Sequence, residues 1–272
     1  MALALTSRDT ESNATDGDDP DVTTTTFTPS NSSILVVLAV SQNQGTATGS
    51  PAISGGGLTY TSRAKARSSG NFAMWAEIWT APVATGASMT VTVNNSGNTA
   101  FGAVSVAVVD LTGYDTTTPT GVNVQATTGA RSGAYSPALS GTAAADSIVL
   151  IAGGTDFGTA TKHASWTDIY TGTAAAGGTD HKFSMSYRSG ALTTADWAAL
   201  DSSFSTAAAG IEIKAAAAGG SLSVNLVGRG GLAGAGGLAG VGGGLVGMPR
   251  RGLILPHPSQ IKTPERRIYA SR

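Results

Sequence analysis

From Ile34 to Lys214 the chain is cut into short apolar or alternating runs, each closed by glycine, proline, asparagine or serine. Such runs are too brief for core helices, and their regular spacing predicts an antiparallel β fold. Ile34-Leu-Val-Val-Leu-Ala-Val40 is continuously apolar and predicts a central strand buried on both faces. Phe72–Trp79 is aromatic-rich and is expected to end at Pro82, while Met89-Thr-Val-Thr-Val93 alternates, one face in and one out. Val104–Val109, Ile148–Ala152, Trp166–Tyr170, Phe183–Arg188 and Ile211–Lys214 continue the series. Only Thr194–Leu200 has helical character. The expected fold class is all-β: an antiparallel β-sandwich, jelly-roll-like, with pseudo-symmetric halves.

The pseudo-symmetry rests on a weak internal repeat. Ser33–Val37 matches Ser147–Ile151, Leu58–Tyr60 matches Trp166–Tyr170, Phe72–Met74 matches Phe183–Met185, and Ala103–Val106 matches Gly210–Ile213. The matches keep one order along the chain.

Composition narrows the chemistry. Charged residues make up 12% of the chain, well below the roughly 25% of an ordinary soluble domain, so much of the surface is expected to meet other protein. There is no cysteine, which excludes disulfides, thiolate metal sites and a thiol nucleophile. Met1–Thr6 shows neither a basic start nor a cleavage pattern, and the expected site of synthesis is a reducing cytoplasm. Asp9–Asp21 holds six acids and is read as a solvated loop. Its Asp16, Asp18 and Asp19 crowd hard oxygen ligands but lack the complete EF-hand pattern.

Several of these segments together carry a resemblance: Ser7–Thr15, Thr23–Ser30, Ile34–Val40, Gly57–Tyr60, Trp79–Pro82, Val109–Asp115, Trp166–Tyr170 and Gly210–Lys214. This pattern resembles a β-sandwich domain that recurs in bacteriophage virion proteins, in head-decorating and minor capsid proteins and in tail fibres. The resemblance implies a non-catalytic structural protein of the virion, assembled in the host cytoplasm, and supplies no catalytic residue. The expected domain covers residues 1–217.

At Gly219 the composition breaks. Residues 219–247 contain 13 glycines, a stretch with high chain entropy and little to bury. Residues 1–220 carry 9 basic and 16 acidic side chains, whereas residues 221–272 carry seven basic and one acidic. Prolines at 249, 256, 258 and 264 favour an extended path. The reading is a glycine-rich linker, 218–248, joined to an attachment arm, 249–272. Its contact residues would be Arg250, Arg251, Leu253, Ile254, Leu255, Ile261, Arg266, Arg267, Ile268, Tyr269 and Arg272. The partners expected are other virion proteins, the major capsid protein or neighbouring structural subunits. Close-packed glycine-rich arms would also suit a homotrimer.

Three patterns in the tail point elsewhere and are set aside. Val227–Ala233 has dinucleotide-loop glycine spacing but no βαβ unit and no acid about 20 residues on. Gly230–Met248 is uncharged, yet ten of its residues are glycine and three leucine, so a membrane span is not expected. With Tyr269 alone as an aromatic, the basic tail is not expected to recognise nucleic acid specifically.

No cofactor, metal or catalytic set is expected. His163, His181 and His257 show no ligand spacing, and Asp156, Asp168 and Asp180 lie near the first two without a nucleophile motif. Glu77 and Glu212, the best glycosidase carboxylates, alternate with apolar neighbours and are expected on a solvated face. Trp75, Trp79, Trp166 and Trp197 raise the alternative of a sugar-binding adhesin module, although burial is the expected role.

Overall fold

The computed structural model describes residues 2–15, 21–44, 51–69, 72–94, 102–176 and 179–217. All described secondary structure is β, and every sheet is antiparallel. Residues 1–221 form one compact unit. The linker and arm expected over 218–272 lie outside the described residues, as do Asp16, Asp18 and Asp19.

The first five-stranded sheet comprises β1 (Ala4–Thr15), β3 (Ser33–Gln44), β5 (Thr61–Arg67), β6 (Phe72–Val83) and β8 (Gly102–Thr112), in the order β1-β8-β3-β6-β5. The second comprises β9 (Thr120–Thr128), β10 (Ile148–Asp156), β12 (Thr167–Ala176), β13 (Thr179–Ser189) and β15 (Thr206–Ile213), in the order β12-β13-β10-β15-β9. The two share one apolar layer: Ile34, Val36, Leu38, Val109 and Leu111 from the first, with Ile148, Leu150, Phe183, Met185 and Ile211 from the second.

Each sheet also buries its other face. A small sheet of β2 (Val22–Thr23), β7 (Thr92–Asn94) and β4 (Ala52–Ser54) covers Leu35, Val37, Trp79 and Val106. On the second sheet, Trp166, Leu139, Leu192 and the pair β11 (Thr159–Lys162) and β14 (Trp197–Asp201) cover Val149 and Ile151. This double cover explains why the central strands read as continuous apolar runs: neither face meets water.

Taken from its β9 edge, the second sheet has the same strand plan as the first. β9, β15, β10, β13 and β12 stand where β1, β8, β3, β6 and β5 stand. Even the irregularities correspond: β5 bulges between Ser62 and Ala64, and β12 between Asp168 and Tyr170, against equivalent positions of their partners. The ladders also correct three of the four repeat matches. Ile34 faces Leu111 as Ile148 faces Ile213, so Ala103–Val106 is five residues out of place against Gly210–Ile213. Leu38 faces Ile78 as Ala152 faces Met185, which displaces the Phe72 match by four. Thr61 faces Thr80 as Thr167 faces Tyr187, a displacement of two for the third. Ser33 with Ser147 alone is in register.

Three other expectations yield to the strand pairing. A jelly roll sends the chain back and forth between its sheets; this chain completes one sheet by Thr112 and builds the other from Thr120 to Ile213. Thr194–Leu200 is not helical. Thr194 bridges Ala138, and Trp197–Asp201 is strand β14, because Trp197 and Leu200 pack onto the second sheet's outer face. The acidic stretch from Asp9 begins as strand rather than loop: β1 is an edge strand, where charged side chains are tolerated. β6 ends at Val83, one residue from the expected end at Pro82, and Pro82 is accommodated because the β5 ladder has already ended at Thr80 and the missing N–H is not needed.

Gly153 shows how closely the outer layer is packed. A Cβ there would lie 2.7 Å from Cε2 of the Trp197 indole, which is fully buried. Gly153→Ala is therefore expected to destabilise the unit by about 1–3 kcal/mol in urea titration. Combined with Trp197→Phe it should cost less than the sum of the two changes.

Candidate functional site

Each half of the molecule buries one carboxylate at the same place. Asp110 on β8 faces Leu35, the neighbour of Ile34, and Glu212 on β15 faces Val149, the neighbour of Ile148. They are 1% and 2% exposed. Both reach the turn that leads into the central strand. Asp110 Oδ2 accepts the Ser30 N–H at 2.7 Å, and Glu212 Oε1 accepts the Ala144 N–H at 2.7 Å. Those turns are closed identically, with the hydroxyls of Ser33 and Ser147 donating to the Ser30 and Ala144 carbonyls.

The second ligand of each carboxylate differs. Edge strand β1 sends Arg8 to Asp110, with Nε 2.5 Å from Oδ1 and Nη2 3.0 Å from Oδ2, and Nη2 also donates to Ser30 Oγ at 2.6 Å. Burial by itself would raise the Asp110 carboxyl, but the Arg8 and Ser30 hydrogen bonds outweigh it and hold it below the usual range. Edge strand β9 offers Glu212 only a backbone donor, Val122 N–H at 2.9 Å. The longer glutamate fits because Gly121 has no Cβ; one built there would overlap the carboxylate. Beside it lies an open groove of about 460 Å³, lined by Thr120, Gly121, Val122, Ser140, Thr142 and Lys214 among others.

A polar cluster sits at the far end of the layer between the sheets. Asp156 and His181 are cross-strand partners, both fully buried. His181 Nε2 lies 3.2 Å from Ser105 Oγ on the first sheet. Asp156 Oδ1 accepts the Ser205 N–H at 2.9 Å and the Ser202 hydroxyl. Burial, helped by neighbouring Lys182, lowers the His181 pKa to about 3, so the ring is neutral at pH 7. Serine, histidine and aspartate in one cluster have the composition of a hydrolytic triad, but all three are sealed from solvent. Chemically the cluster can hold a turn and join two sheets.

The remaining candidates are scattered over the unit. Glu77 and Glu212 are buried, not solvated, because small sheets and loops cover the outer faces that alternation assigns them to. Burial raises the Glu77 carboxyl, despite a 2.5 Å hydrogen bond from Ser62 and the nearby Lys65 charge. His163 is exposed, with Nδ1 2.8 Å from Ser165 Oγ, and Asp168 is exposed against Thr171. Asp180 lies in β13. Trp75, Trp79, Trp166 and Trp197 are each 4% exposed or less, as the burial reading expects, and cannot present a stacking platform. The eleven arm residues from Arg250 to Arg272, and His257, lie outside the described residues. Among those described, no group of three or more acids or histidines could hold a metal ion.

Sequence reasoning missed the Arg8–Asp110 pair, 102 residues apart, and the groove at Glu212. The available signal was the Ser30/Ser33 and Ala144/Ser147 spacing before each apolar run. Compared with known families, characterised proteins and solved structures, the chain matches none.

Proposed function

We propose that the chain is a non-catalytic structural protein of a bacteriophage virion: a displayed β-sandwich anchored to the particle through its C-terminal arm. The observation that carries this reading is the self-sufficiency of the β unit. Its last strand ends at Ile213, and both five-stranded sheets have each face covered by residues before Ala217. Residues 218–272, basic and proline-spaced, are left for a partner outside the unit. Their arginines supply a charge term that salt screens, and Leu253, Ile254, Leu255, Ile261 and Ile268 an apolar term that it does not. A C-terminal anchor favours a head-decorating or minor capsid protein over a tail fibre, which more often attaches by its N-terminus.

Deleting 218–272 is expected to leave a folded unit with unchanged melting that no longer joins the particle. Reversing Arg266 and Arg267 to glutamate should weaken incorporation in co-assembly assays, again without changing the melting. A truncated chain that assembles normally, or one that unfolds, would overturn the reading.

An adhesin-type carbohydrate-binding module is the second reading. The four tryptophans no longer support it, since all are buried. A different pair favours it: Phe157 and Phe204, 40% and 55% exposed with ring centroids 6.1 Å apart. Glycan-array binding that disappears in Phe204→Ala would support it.

A further inference from the structure

We propose that edge strand β12 is the docking surface for a second copy of this chain, the two β12 strands pairing antiparallel about a two-fold axis. The second sheets of the two copies would then run on as one. A strand at the end of a sheet turns half of its backbone N–H and C=O groups outward, and folded proteins guard such edges with charge, bulges or cover. Of the four edge strands in the two large sheets, three are guarded. β5 carries Arg63, Lys65 and Arg67 within seven residues. β1 carries Asp9 and Glu11 directly after its bulge. β9 is covered, because Asn123 accepts the Ser140 N–H at 2.7 Å and donates its own N–H to Ser140 Oγ at 3.0 Å.

β12 is open. Its one charge, Asp168, sits at the bulge near its start. From there Tyr170–Ala176 runs as an unbroken ladder with β13, without a charge or a proline. Among the described residues β13 is its sole strand neighbour, and no backbone hydrogen bond reaches it from any other segment. The surface beside this edge is apolar. β1 packs next to β12, and Leu3 and Leu5 at its N-terminal end, with Ile169 and Tyr170, are only partly buried against the layer between the sheets.

These features select the occupant. An uncharged edge flanked by apolar side chains calls for an uncharged strand of small or β-branched residues, and β12 is itself such a strand. Pairing centred on Gly172 sets Thr171 of each copy opposite Thr173 of the other; both threonines are exposed, and threonine pairs stabilise a sheet. The two Asp168 carboxylates then fall at opposite ends of the new ladder, away from each other. The charged edges lack this self-complementarity. β5 laid against itself about Lys65 would oppose its cations, and β1 about Thr10 would oppose Asp9 and Glu11. The assembly closes at two copies, because each uses up its own open edge. The inference concerns the β unit alone and stands whether or not the proposed function holds.

The chain has no cysteine, so Thr173→Cys places a single thiol at this edge of the full-length protein. A short bismaleimide should link that variant chiefly into dimers, and should leave Gln125→Cys, on the β9 edge, as single chains. Sedimentation gives the second readout. Thr171→Lys combined with Thr173→Lys should weaken self-association about tenfold or more, since like charges then face each other across the axis. The matching pair of glutamates should do the same, and mixing the two variants should restore the dimer. Both side chains are exposed, so circular dichroism should show the fold retained, and the thiol variant tests the contact independently. A wild-type chain that remains monomeric overturns the inference, and is the result expected if the edge takes a strand of some other protein. Lysine variants that associate like the wild type, mixtures that do not recover, or linking at Gln125 as readily as at Thr173 overturn it equally.

Discussion

Replacing Asp110 with alanine is expected to destabilise the β unit by about 3–5 kcal/mol, the largest loss from any single polar side chain among the described residues. The change leaves the Arg8 guanidinium and the Ser30 N–H facing a cavity, and a cation left without its partner in a half-buried site costs more than the pair contributes. The double change Arg8→Met with Asp110→Leu should recover much of the loss, because it removes both charges and keeps the volume. Equilibrium unfolding in urea measures both. A loss under about 1 kcal/mol for Asp110→Ala would mean that the pair is screened like a surface bridge. Glu212→Gln should be milder. An amide oxygen can still accept one of the two N–H groups, and no guanidinium of the described unit is stranded.

Acidification should weaken the unit well above the usual carboxylate range. His181 has its pKa lowered by burial to about 3, against 6.5 in the unfolded chain. Between those values the unfolded state binds a proton that the folded state refuses, so stability is intact above pH 6.5 and falls as pH drops toward 3. The integrated loss is about 4 kcal/mol. Asp110, whose carboxyl is held low in the folded state, adds a further loss below its unfolded value of 3.8. Glu77 acts in the opposite sense: its raised carboxyl binds protons more readily in the folded state and returns some stability in acid. The groups facing His181 are Asp156 across the β10–β13 ladder, Ser105 from the first sheet and Phe183 along its own strand. In His181→Leu the slope of urea midpoint against pH should flatten across the upper part of that window, between the unfolded histidine value and the carboxylate range. An unchanged slope would place the acid sensitivity elsewhere.

The strands are legible in the sequence because alternation and continuous apolar runs report directly on one or two buried faces. Ile34–Val40 reads as an interior strand, and the structure buries it on each side, as it does Ile148–Ala152. The two halves are legible through the serine-led starts of those strands. The alignment of the remaining repeats is not, because β strands of similar composition match at many offsets. Only the ladder decides which residue faces which, and the five-residue error at Gly210 reverses every side chain to the other face. Alternation places Glu77 and Glu212 on an outer face correctly but cannot tell that the face is covered. Glu212 is covered by the segment from Ser140 to Ala144, far back along the chain, and Glu77 by Pro51 and the Ser62 hydroxyl.

The sequence by itself therefore determined what is local: strand periodicity, turn chemistry, the lack of cysteine, and the break in composition and charge at Gly219. The tertiary structure decided everything that depends on pairs distant along the chain. It joined Arg8 to Asp110, set Asp156 opposite His181, and opened a groove at Glu212 where the other half is filled. The physical reason is that backbone and side-chain preferences act over a few residues, whereas ion pairs, desolvation and cavities depend on which strands lie side by side.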